Sequence, residues 1–239
     1  MPTEIVIVRH GQCTGNLADR ASYKGRHDLF IQEIRNQKSS QWLLTPTGIR
    51  ESKLTGNWIK NNIASMFDYY FSSDYTRSVE TAKHMDFVNS RWIKNTLLRE
   101  RKWGGVENLP YPERNVLFQQ LGISITEDSI FWQPPNGESM IDILRRVRSF
   151  LDRIKRIGAE KRILIVSHGA PLQAFRILQY GIDPSHYVSF INGENYIRNC
   201  HIFHYLAKKN RNSDIPMYSI ERSAYLNPDN KWIETIQNL

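Results

Sequence analysis

Residues 4–11 read Glu-Ile-Val-Ile-Val-Arg-His-Gly, and this stretch decides the fold class. Its four central residues are all Ile or Val, the composition of a strand that is buried on both faces of a sheet. The strand ends at Arg9 and His10. Open α/β sheets bind their ligands beyond the carboxyl ends of the strands. Both side chains are therefore candidates for a binding or catalytic site.

Two more strands with the same pattern are predicted further along the chain. Residues 162–166 form an apolar run that leads to His168, and residues 68–72 form another that leads to Asp74. Residues 97–98, both Leu, are expected to close a short fourth strand. If these strands are parallel, their carboxyl ends meet at one edge of the sheet.

Helices are predicted between the strands because apolar residues recur at a spacing of three or four. The predicted helices span residues 47–64, 75–87, 138–157 and 171–180. Ser139 is expected to cap the third helix, and Arg77 to lie in the first turn of the second. Strands that alternate with helices indicate a three-layer α/β/α sandwich with a mostly parallel central sheet.

Two segments interrupt this alternation. Residues 17–42 are polar and basic, and residues 103–135 are rich in Pro, Gly and aromatic residues. We expect a single domain over residues 1–239 in which both segments are long insertions that lie over the active site. The residues after Ala207 show no clear pattern.

The composition is that of an ordinary globular protein, with 40% hydrophobic and 23% charged residues among 239. No apolar stretch is long enough to cross a bilayer, and no leader sequence is visible. Cys13 and Cys200 are the only cysteines, which excludes a disulfide framework. These features predict a cytoplasmic protein without a membrane partner.

The net charge of +8 favours anionic partners. Basic residues are mixed with acidic and apolar ones, which argues against a nucleic-acid surface and for a small phosphorylated substrate. The sequence leaves the oligomeric state open.

The residue types at the strand ends suit phosphate chemistry. Arginine presents a planar, permanently charged fork that binds two phosphate oxygens, so Arg9 and Arg77 can hold a phosphoryl group and neutralise its charge. A neutral imidazole can attack phosphorus and form a covalent intermediate. A second, cationic imidazole can donate to a non-bridging oxygen.

A leaving alkoxide needs a proton, and Glu100 is the candidate donor because it follows the strand expected at residues 97–98. It must be protonated before the reaction, which requires a raised pKa. The same residue would then activate water. Glu107 and Glu113 are alternatives for this role.

A metal site is not predicted. Cys200, His201 and His204 are the nearest approach to a ligand cluster in the sequence. Alternate residues of a strand face opposite sides, so His201 would point away from the other two. Three ligands would not converge, and we expect catalysis without a metal or a cofactor.

Seven motifs make the chain resemble the histidine phosphatase superfamily, the phosphoglycerate-mutase-like proteins. In chain order they are Arg9-His10-Gly11 with Asn16, Leu44-Thr45-Pro46-Thr47-Gly48, the run from Ser72 to Ala82, Leu98-Arg99-Glu100, Gly137-Glu138-Ser139, Ser167-His168-Gly169 and Asn199-Cys200. They keep the family order and cover nearly the whole chain. The set is specific, although Arg-His-Gly alone would be a weak signal.

The resemblance implies a phosphoglycerate-mutase-like fold and a division of roles among the motif residues. The phosphorylated nucleophile would be His10. The phosphate pocket would be formed by Arg9, Arg77 and His168, and the proton donor would be Glu100. The expected substrate-binding residues are Gly11, Asn16 and Gly169.

The sequence also departs from the family pattern. The family often has Glu followed by Ser or Thr after Arg-His-Gly, where this chain has Gln12 and Cys13. A Trp that is common two positions further on is replaced by Gly15. These changes, and the length of segment 17–42, lie where substrate choice would be set, so the substrate stays open.

Three functions fit these observations. The first is a phosphatase that hydrolyses a phosphate monoester through a phosphohistidine on His10. The second is a phosphoglycerate-type mutase, which the sequence from Leu17 onward disfavours because it diverges from that expected of mutases. The third is a non-catalytic binder of phosphorylated or polyanionic partners, which the intact set of motifs disfavours.

Overall fold

A computed structural model gives the fold of residues 2–122, 129–157, 160–183, 186–187, 196–207 and 218–236. At its centre lies a sheet of seven strands. The strands are β1 (Glu4–Arg9), β2 (Tyr69–Ser72), β3 (Trp92–Lys94), β4 (Arg162–Ser167), β5 (Ile202–Ala207), β6 (Tyr218–Leu226) and β7 (Trp232–Ile236).

The spatial order of the strands is β3-β2-β4-β1-β5-β6-β7. The first four in this order are parallel to one another, and β5, β6 and β7 each run antiparallel to the preceding strand. Five of the seven strands therefore share one direction. The predicted α/β class with a mostly parallel sheet is confirmed, and β1 lies at the centre, where its unbroken apolar run is buried.

The prediction of a strand at residues 97–98 is wrong. These residues belong to a short 3-10 turn, Thr96–Leu98, and the edge strand β3 ends before it. The side chain of Asn95 accepts a hydrogen bond from the backbone N–H of Leu97 at 2.9 Å, which turns the chain out of the extended conformation. Glu100 therefore follows this turn, in which the side chain of Leu98 is buried, and does not follow the end of a strand.

Seven helices flank the sheet in the described residues. They are α1 (Thr14–Tyr23), α2 (Gln32–Asn36), α3 (Pro46–Asn62), α4 (Thr76–His84), α5 (Tyr111–Gln120), α6 (Met140–Lys155) and α7 (Gly169–Tyr180). The four predicted helices correspond to α3, α4, α6 and α7. The expected cap is confirmed: the Ser139 hydroxyl accepts from the backbone N–H of Asp142, whose carboxylate accepts from the N–H of Ser139.

Two apolar clusters fill the space between the sheet and its helices, which gives the predicted three layers. Alternate residues of β1, such as Ile5 and Ile7, face one cluster with α6 and α7. The intervening residues, Val6 and Val8, face the other with α3 and α4. Because both faces are covered, the sheet holds the carboxyl ends of its parallel strands in fixed positions.

The two segments expected as insertions contain helices of their own. Segment 17–42 includes most of α1 and all of α2, and segment 103–135 includes α5. The segments contact each other, for example through an ion pair between Asp19 and Arg114. Residues 123–128, inside the second segment, lie outside the described residues.

The residues after Ala207, which show no clear pattern in the sequence, include two more strands of the sheet. Strands β6 and β7 pair over residues 218–236, while residues 208–217 and 237–239 lie outside the described part. The polar composition fits an edge hairpin, because one face of such strands meets solvent. No helix in the described ranges combines the length and the apolar character that crossing a membrane requires.

Candidate active site

The predicted site residues meet at the carboxyl ends of the parallel strands. The end of β1 supplies Arg9 and His10, the residue after β4 is His168, and the first turn of α4 supplies Arg77. The rings of His10 and His168 have centroids 5.0 Å apart. The guanidinium Nε of Arg77 donates to Nε2 of His10 at 3.1 Å. All four side chains therefore occupy one small region.

A cavity of about 210 Å³ lies in front of this group. Arg9, His10 and Arg77 line it directly, and Glu100 and Asn16 lie in its wall. His168 is fully buried and lies behind His10 rather than in the wall. The volume is enough for a phosphoryl group with part of its leaving group.

The surroundings of His10 fix its tautomer. Its Nδ1 lies 2.7 Å from the carbonyl oxygen of Gly11, which can only accept, so Nδ1 carries the proton. The other nitrogen, Nε2, then keeps a lone pair. Burial and the positive charges of Arg77 and Arg9 hold the pKa of His10 well below its usual range. The imidazole is therefore neutral, as a nucleophile must be.

His168 differs from the cationic imidazole that the sequence led us to expect. Burial, together with the charge of Arg77, lowers its pKa well below the usual range, so the free protein holds it neutral. Its Nε2 lies 3.2 Å from the hydroxyl of Ser78, and its buried Nδ1 makes no hydrogen bond within the described part of the chain. A bound dianion would supply the counter-charge that a cationic imidazole requires.

The two arginines are held by backbone carbonyls. Nη1 of Arg9 donates to the carbonyl of Ile197 at 2.5 Å, and its buried Nε makes no hydrogen bond within the described residues. Nη1 of Arg77 donates to the carbonyl of Ser39 at 2.6 Å. These bonds fix the direction of both guanidinium groups beside the cavity.

Glu100 is held as an acceptor in this structure. Its carboxylate accepts backbone N–H groups from Gly169 at 3.1 Å, Ala170 at 3.0 Å and Arg101 at 2.8 Å. Two of these donors belong to the first turn of α7, where the helix dipole also favours an anion. In all three contacts a carboxylate oxygen is the acceptor, whereas the proton-donor role that the sequence led us to expect requires one of these oxygens to carry a proton.

The two alternatives to Glu100 as proton donor, Glu107 and Glu113, lie in different surroundings. Glu107 lies in the wall of the same cavity, and its carboxylate accepts from the Ser39 hydroxyl at 2.5 Å. Glu113 instead forms an exposed ion pair with Arg35 at 2.6 Å and does not line the cavity. The role of proton donor is therefore open to Glu100 and Glu107 only, among the three residues considered.

The predicted substrate-binding residues are placed differently from one another. Asn16 lines the cavity and accepts from the amide of Asn199 at 3.0 Å. Gly169 offers its N–H at the cavity side, where Glu100 now occupies it. Gly11 does not line the cavity, and its N–H donates to the hydroxyl of Thr81. The predicted role of Gly11 in binding substrate stays a prediction.

Packing explains why position 11 is glycine. A Cβ there would come within 2.6 Å of the Gly48 carbonyl oxygen in α3. The close contact lets the chain turn directly after His10, so that the Gly11 carbonyl can reach the Nδ1 of its ring. Gly11 thus supports the site through packing and through its carbonyl.

Sequence reasoning missed most of the outer wall. Arg101 is one further lining residue, and the others come from the two insertions: Asp19, Ser39, Trp42, Trp103, Val106, Asn108 and Arg114. No motif marked them individually, although the length of the two segments indicated that they would lie over the site. Among the described residues, no group of three or more His, Cys, Asp and Glu side chains is arranged to hold a metal ion.

The layered α/β fold and the buried His-Arg group at the strand ends match the class of phosphatases and phosphomutases. The chain belongs to the histidine phosphatase superfamily, branch 1, whose sequence profile matches residues 5–210. It is 30% identical over 190 residues to a 2,3-bisphosphoglycerate-dependent phosphoglycerate mutase of Rhizobium etli, a match that covers 75% of this chain and 79% of that one.

Solved structures with the same fold include two phosphatases. A mycobacterial glucosyl-3-phosphoglycerate phosphatase matches with a TM-score of 0.70 and 17% identity, over 92% of this chain and 97% of that one. A phosphoserine phosphatase of Entamoeba histolytica, solved with 3-phosphoglyceric acid, matches with a TM-score of 0.64 and 21% identity, over 92% and 96% of the two chains. At these identities the match shows the fold alone.

Proposed function

We propose that the protein hydrolyses small phosphate monoesters through a phosphohistidine on His10, without a metal. The observation that carries this proposal is the neutral imidazole of His10, which stands at the cavity between Arg9 and Arg77 with its proton fixed on Nδ1. A lone pair on Nε2, next to two permanent positive charges, suits attack on a phosphoryl dianion.

In the first step, the phosphoryl group takes the place of His10 as the partner of Arg77, and both arginines bind its oxygens. The lone pair of Nε2 attacks phosphorus, and the bond from phosphorus to the ester oxygen breaks. The electrons of that bond go to the leaving oxygen, which takes a proton from the acid. The product alcohol leaves, and phosphate stays bound to His10.

Glu100 can become this acid when the substrate binds. Phosphoryl oxygens and the Glu100 carboxylate compete for the same backbone donors, the N–H groups of Gly169 and Ala170. Displacement removes hydrogen bonds that stabilise the anion and leaves Glu100 beside a dianion. Once displaced, the carboxyl group takes up a proton from solvent and passes it to the leaving oxygen.

In the second step, water attacks the phosphohistidine. Its proton goes to the Glu100 carboxylate, the bond between phosphorus and Nε2 breaks, and the electrons of that bond return to the imidazole. Inorganic phosphate then leaves, and Glu100 releases its proton to solvent and returns to the first turn of α7.

A phosphoglycerate-type mutase is the second candidate, because the curated relative from Rhizobium etli has this activity. A mutase must keep water away from the phosphohistidine until it transfers the phosphate again. We favour hydrolysis because the outer walls come from insertions in which the sequence diverges from that expected of mutases. We also propose that residues 1–239 act as one domain in which these insertions select the substrate, and that the protein works in the cytoplasm, where the free thiols of Cys13 and Cys200 stay reduced.

The test is chemical. Protein incubated with a ³²P-labelled monoester and quenched should carry phosphate that is stable in base and labile in acid. His10→Ala should lose both this label and the release of free phosphate, while His84→Ala, on the far part of α4, should keep both. Full phosphate release by His10→Ala would refute the proposal, and isomerised phosphoglycerate without phosphate release would establish the mutase instead.

A further inference from the structure

A second cavity, of about 550 Å³, lies beside the phosphoryl cavity. The two cavities share four lining residues, namely Arg9, Asn16, Asp19 and Arg114. A group bound in the second cavity would thus be continuous with a phosphoryl group held by Arg9. Its volume is within the range of cavities that enclose small organic ligands and exceeds what a glycerate or serine leaving group fills.

Exposed aromatic side chains are concentrated around these two cavities. In the described part of the chain, the exposed large aromatic residues are Tyr23, Trp103, Tyr111, Phe131, Tyr180 and Tyr196. Three of these six line the second cavity and one lines the first. Exposed aromatic surface that collects at one concave place is typical of a ligand site.

The geometry of this wall suits a flat ligand. Tyr23 at the end of α1 and Tyr111 at the start of α5 meet edge to face, with ring centroids 5.6 Å apart and planes at 73°. Tyr23 is 76% exposed and Tyr111 is 39% exposed, so both rings leave surface open for stacking. The pair is built from both insertions, one ring from each.

Tyr196 provides a third ring in the same cavity. Burial alone would raise the pKa of its hydroxyl, but the positive charge of Arg9 and a hydrogen bond to it lower that pKa instead. The ring is thereby tied to an arginine of the phosphoryl cavity while remaining half exposed.

The charges of the second cavity allow polar contacts to such a ligand. Arg114 is already engaged by Asp19 and by the carbonyl of Leu109. Arg20 lines the cavity without a hydrogen bond or ion pair to any other described residue. Its guanidinium can lie against a ring face or bind a ring acceptor.

We propose that the leaving group of the substrate carries a planar aromatic ring, which stacks on Tyr23 and Tyr111 while the phosphoryl group binds at His10. This inference rests on the proposed function and names the substrate class of the same site. Nucleoside monophosphates and aryl phosphates share this chemistry.

The test compares two esters that differ by the ring alone. Adenosine 5′-monophosphate and ribose 5-phosphate have the same phosphoryl group on the same sugar carbon. We expect the KM of the nucleotide to be lower by about tenfold, because stacking of a base on an aromatic side chain strengthens binding by a factor of about 5 to 150. Equal KM values would overturn the inference.

Substitutions of single tyrosines test whether the preference for the nucleotide arises at this pair of rings. Tyr111→Ala should raise the KM for the nucleotide by about tenfold and leave that for ribose 5-phosphate unchanged, and Tyr111→Phe should restore the preference. Tyr180→Ala, at an exposed tyrosine that lines neither cavity, is the control. A preference that survives Tyr111→Ala together with Tyr23→Ala would place the ring elsewhere and refute the assignment.

Failure of the proposed function can be told apart from failure of this inference. If neither ester releases phosphate, titration calorimetry on His10→Ala with the same two esters still measures binding. Tighter binding of the nucleotide, lost in Tyr111→Ala, would support the ring site alone. Equal binding of the two esters would refute it.

Discussion

The indole ring of Trp42 lies directly against the backbone of Gly15. A Cβ at position 15 would come within 2.1 Å of ring atom Cε3, so only glycine fits beneath this ring. Gly15 stands where the family often has a Trp, and Trp42 ends the first insertion. The indole that covers the cavity thus comes from a different part of the chain, with its ring centroid 5.6 Å from the Arg77 guanidinium carbon.

The first prediction tests this relationship. Gly15→Ala should lower the free energy of unfolding by about 1–3 kcal/mol, because the added methyl overpacks the contact with Trp42. In a Trp42→Ala background the same change should cost almost nothing, since the ring is gone. Denaturant unfolding of the four proteins gives the coupling energy, and additive effects would contradict the contact.

The second prediction concerns pH and stability. Burial, followed by the charges of Arg176 and Arg198, lowers the pKa of His201 to about 3 in the folded protein, whereas an unfolded chain has a value of about 6.5. Below about pH 6.5 the unfolded chain binds a proton at His201 that the folded protein does not bind. The free energy of unfolding therefore falls as the pH drops towards 3. The free energy of unfolding should lose up to about 1.4 kcal/mol per pH unit from this group.

His201→Gln should flatten that part of the profile. The glutamine amide can replace the bond between Nε2 of His201 and the Ser223 hydroxyl, which is 2.8 Å long, and it does not titrate. Unfolding measured from about pH 7 to pH 5 should show a slope smaller by nearly one proton. An unchanged slope would mean that His201 takes up its proton in the folded state as well. His84→Gln is the comparison.

The third prediction identifies the proton donor. Glu100→Gln should slow the transfer of phosphate from alkyl phosphates to His10 by about 10²–10⁴-fold and barely affect this transfer from p-nitrophenyl phosphate, whose leaving group needs no proton. Single-turnover measurements isolate this first step from the later hydrolysis of the phosphohistidine, in which Glu100 also takes part. Glu107→Gln should not show this dependence on the leaving group. The reverse pattern would assign the acid to Glu107, and Glu113→Gln, at the exposed pair with Arg35, is the control.

The fourth prediction concerns Arg77. Arg77→Lys keeps the charge but loses the fork that donates to His10 and to the Ser39 carbonyl at once. We expect kcat to fall by about 10²–10³-fold in steady-state assays with any monoester. Arg99→Lys, which changes a surface pair with Asp74, should keep its kcat. A similar loss in both variants would point to general damage rather than to the fork.

The fifth prediction concerns the cap of α6. Ser139→Ala should lower the free energy of unfolding by about 1 kcal/mol, because the N–H of Asp142 loses its acceptor. Ser149→Ala, in the exposed middle of the same helix, should cost much less. Thermal unfolding of both variants would decide this, and equal losses would argue against the cap.

The parallel half of the fold could be predicted because its signals are local. An apolar run such as residues 5–8 is a strand buried on both faces, and the residue after it lies at the sheet edge wherever the other strands are placed. That reasoning was enough to place His10, His168 and Arg77 together. The edge hairpin β6–β7 was not predicted because the alternation of apolar and polar residues along its strands is weak.

The state of the side chains could not be read from the sequence. The placement of Glu100 depends on the Thr96–Leu98 turn and on free N–H groups of α7, which are tertiary features. The lowered pKa of His168 depends on its burial next to Arg77. In both cases the sequence predicts which residue lies near the cavity, and its contacts depend on parts of the chain that are distant in sequence.

Arg77 donates to His10 through Nε and to the Ser39 carbonyl, in the first insertion, through Nη1. An exchange of that insertion for the loop of a relative would therefore alter more than the choice of substrate. Without a carbonyl where Ser39 now offers one, the guanidinium could rotate away, and His10 would become easier to protonate. Recognition and reactivity in this protein are inherited together, and an engineer who redesigns the loop must rebuild the support of the histidine as well.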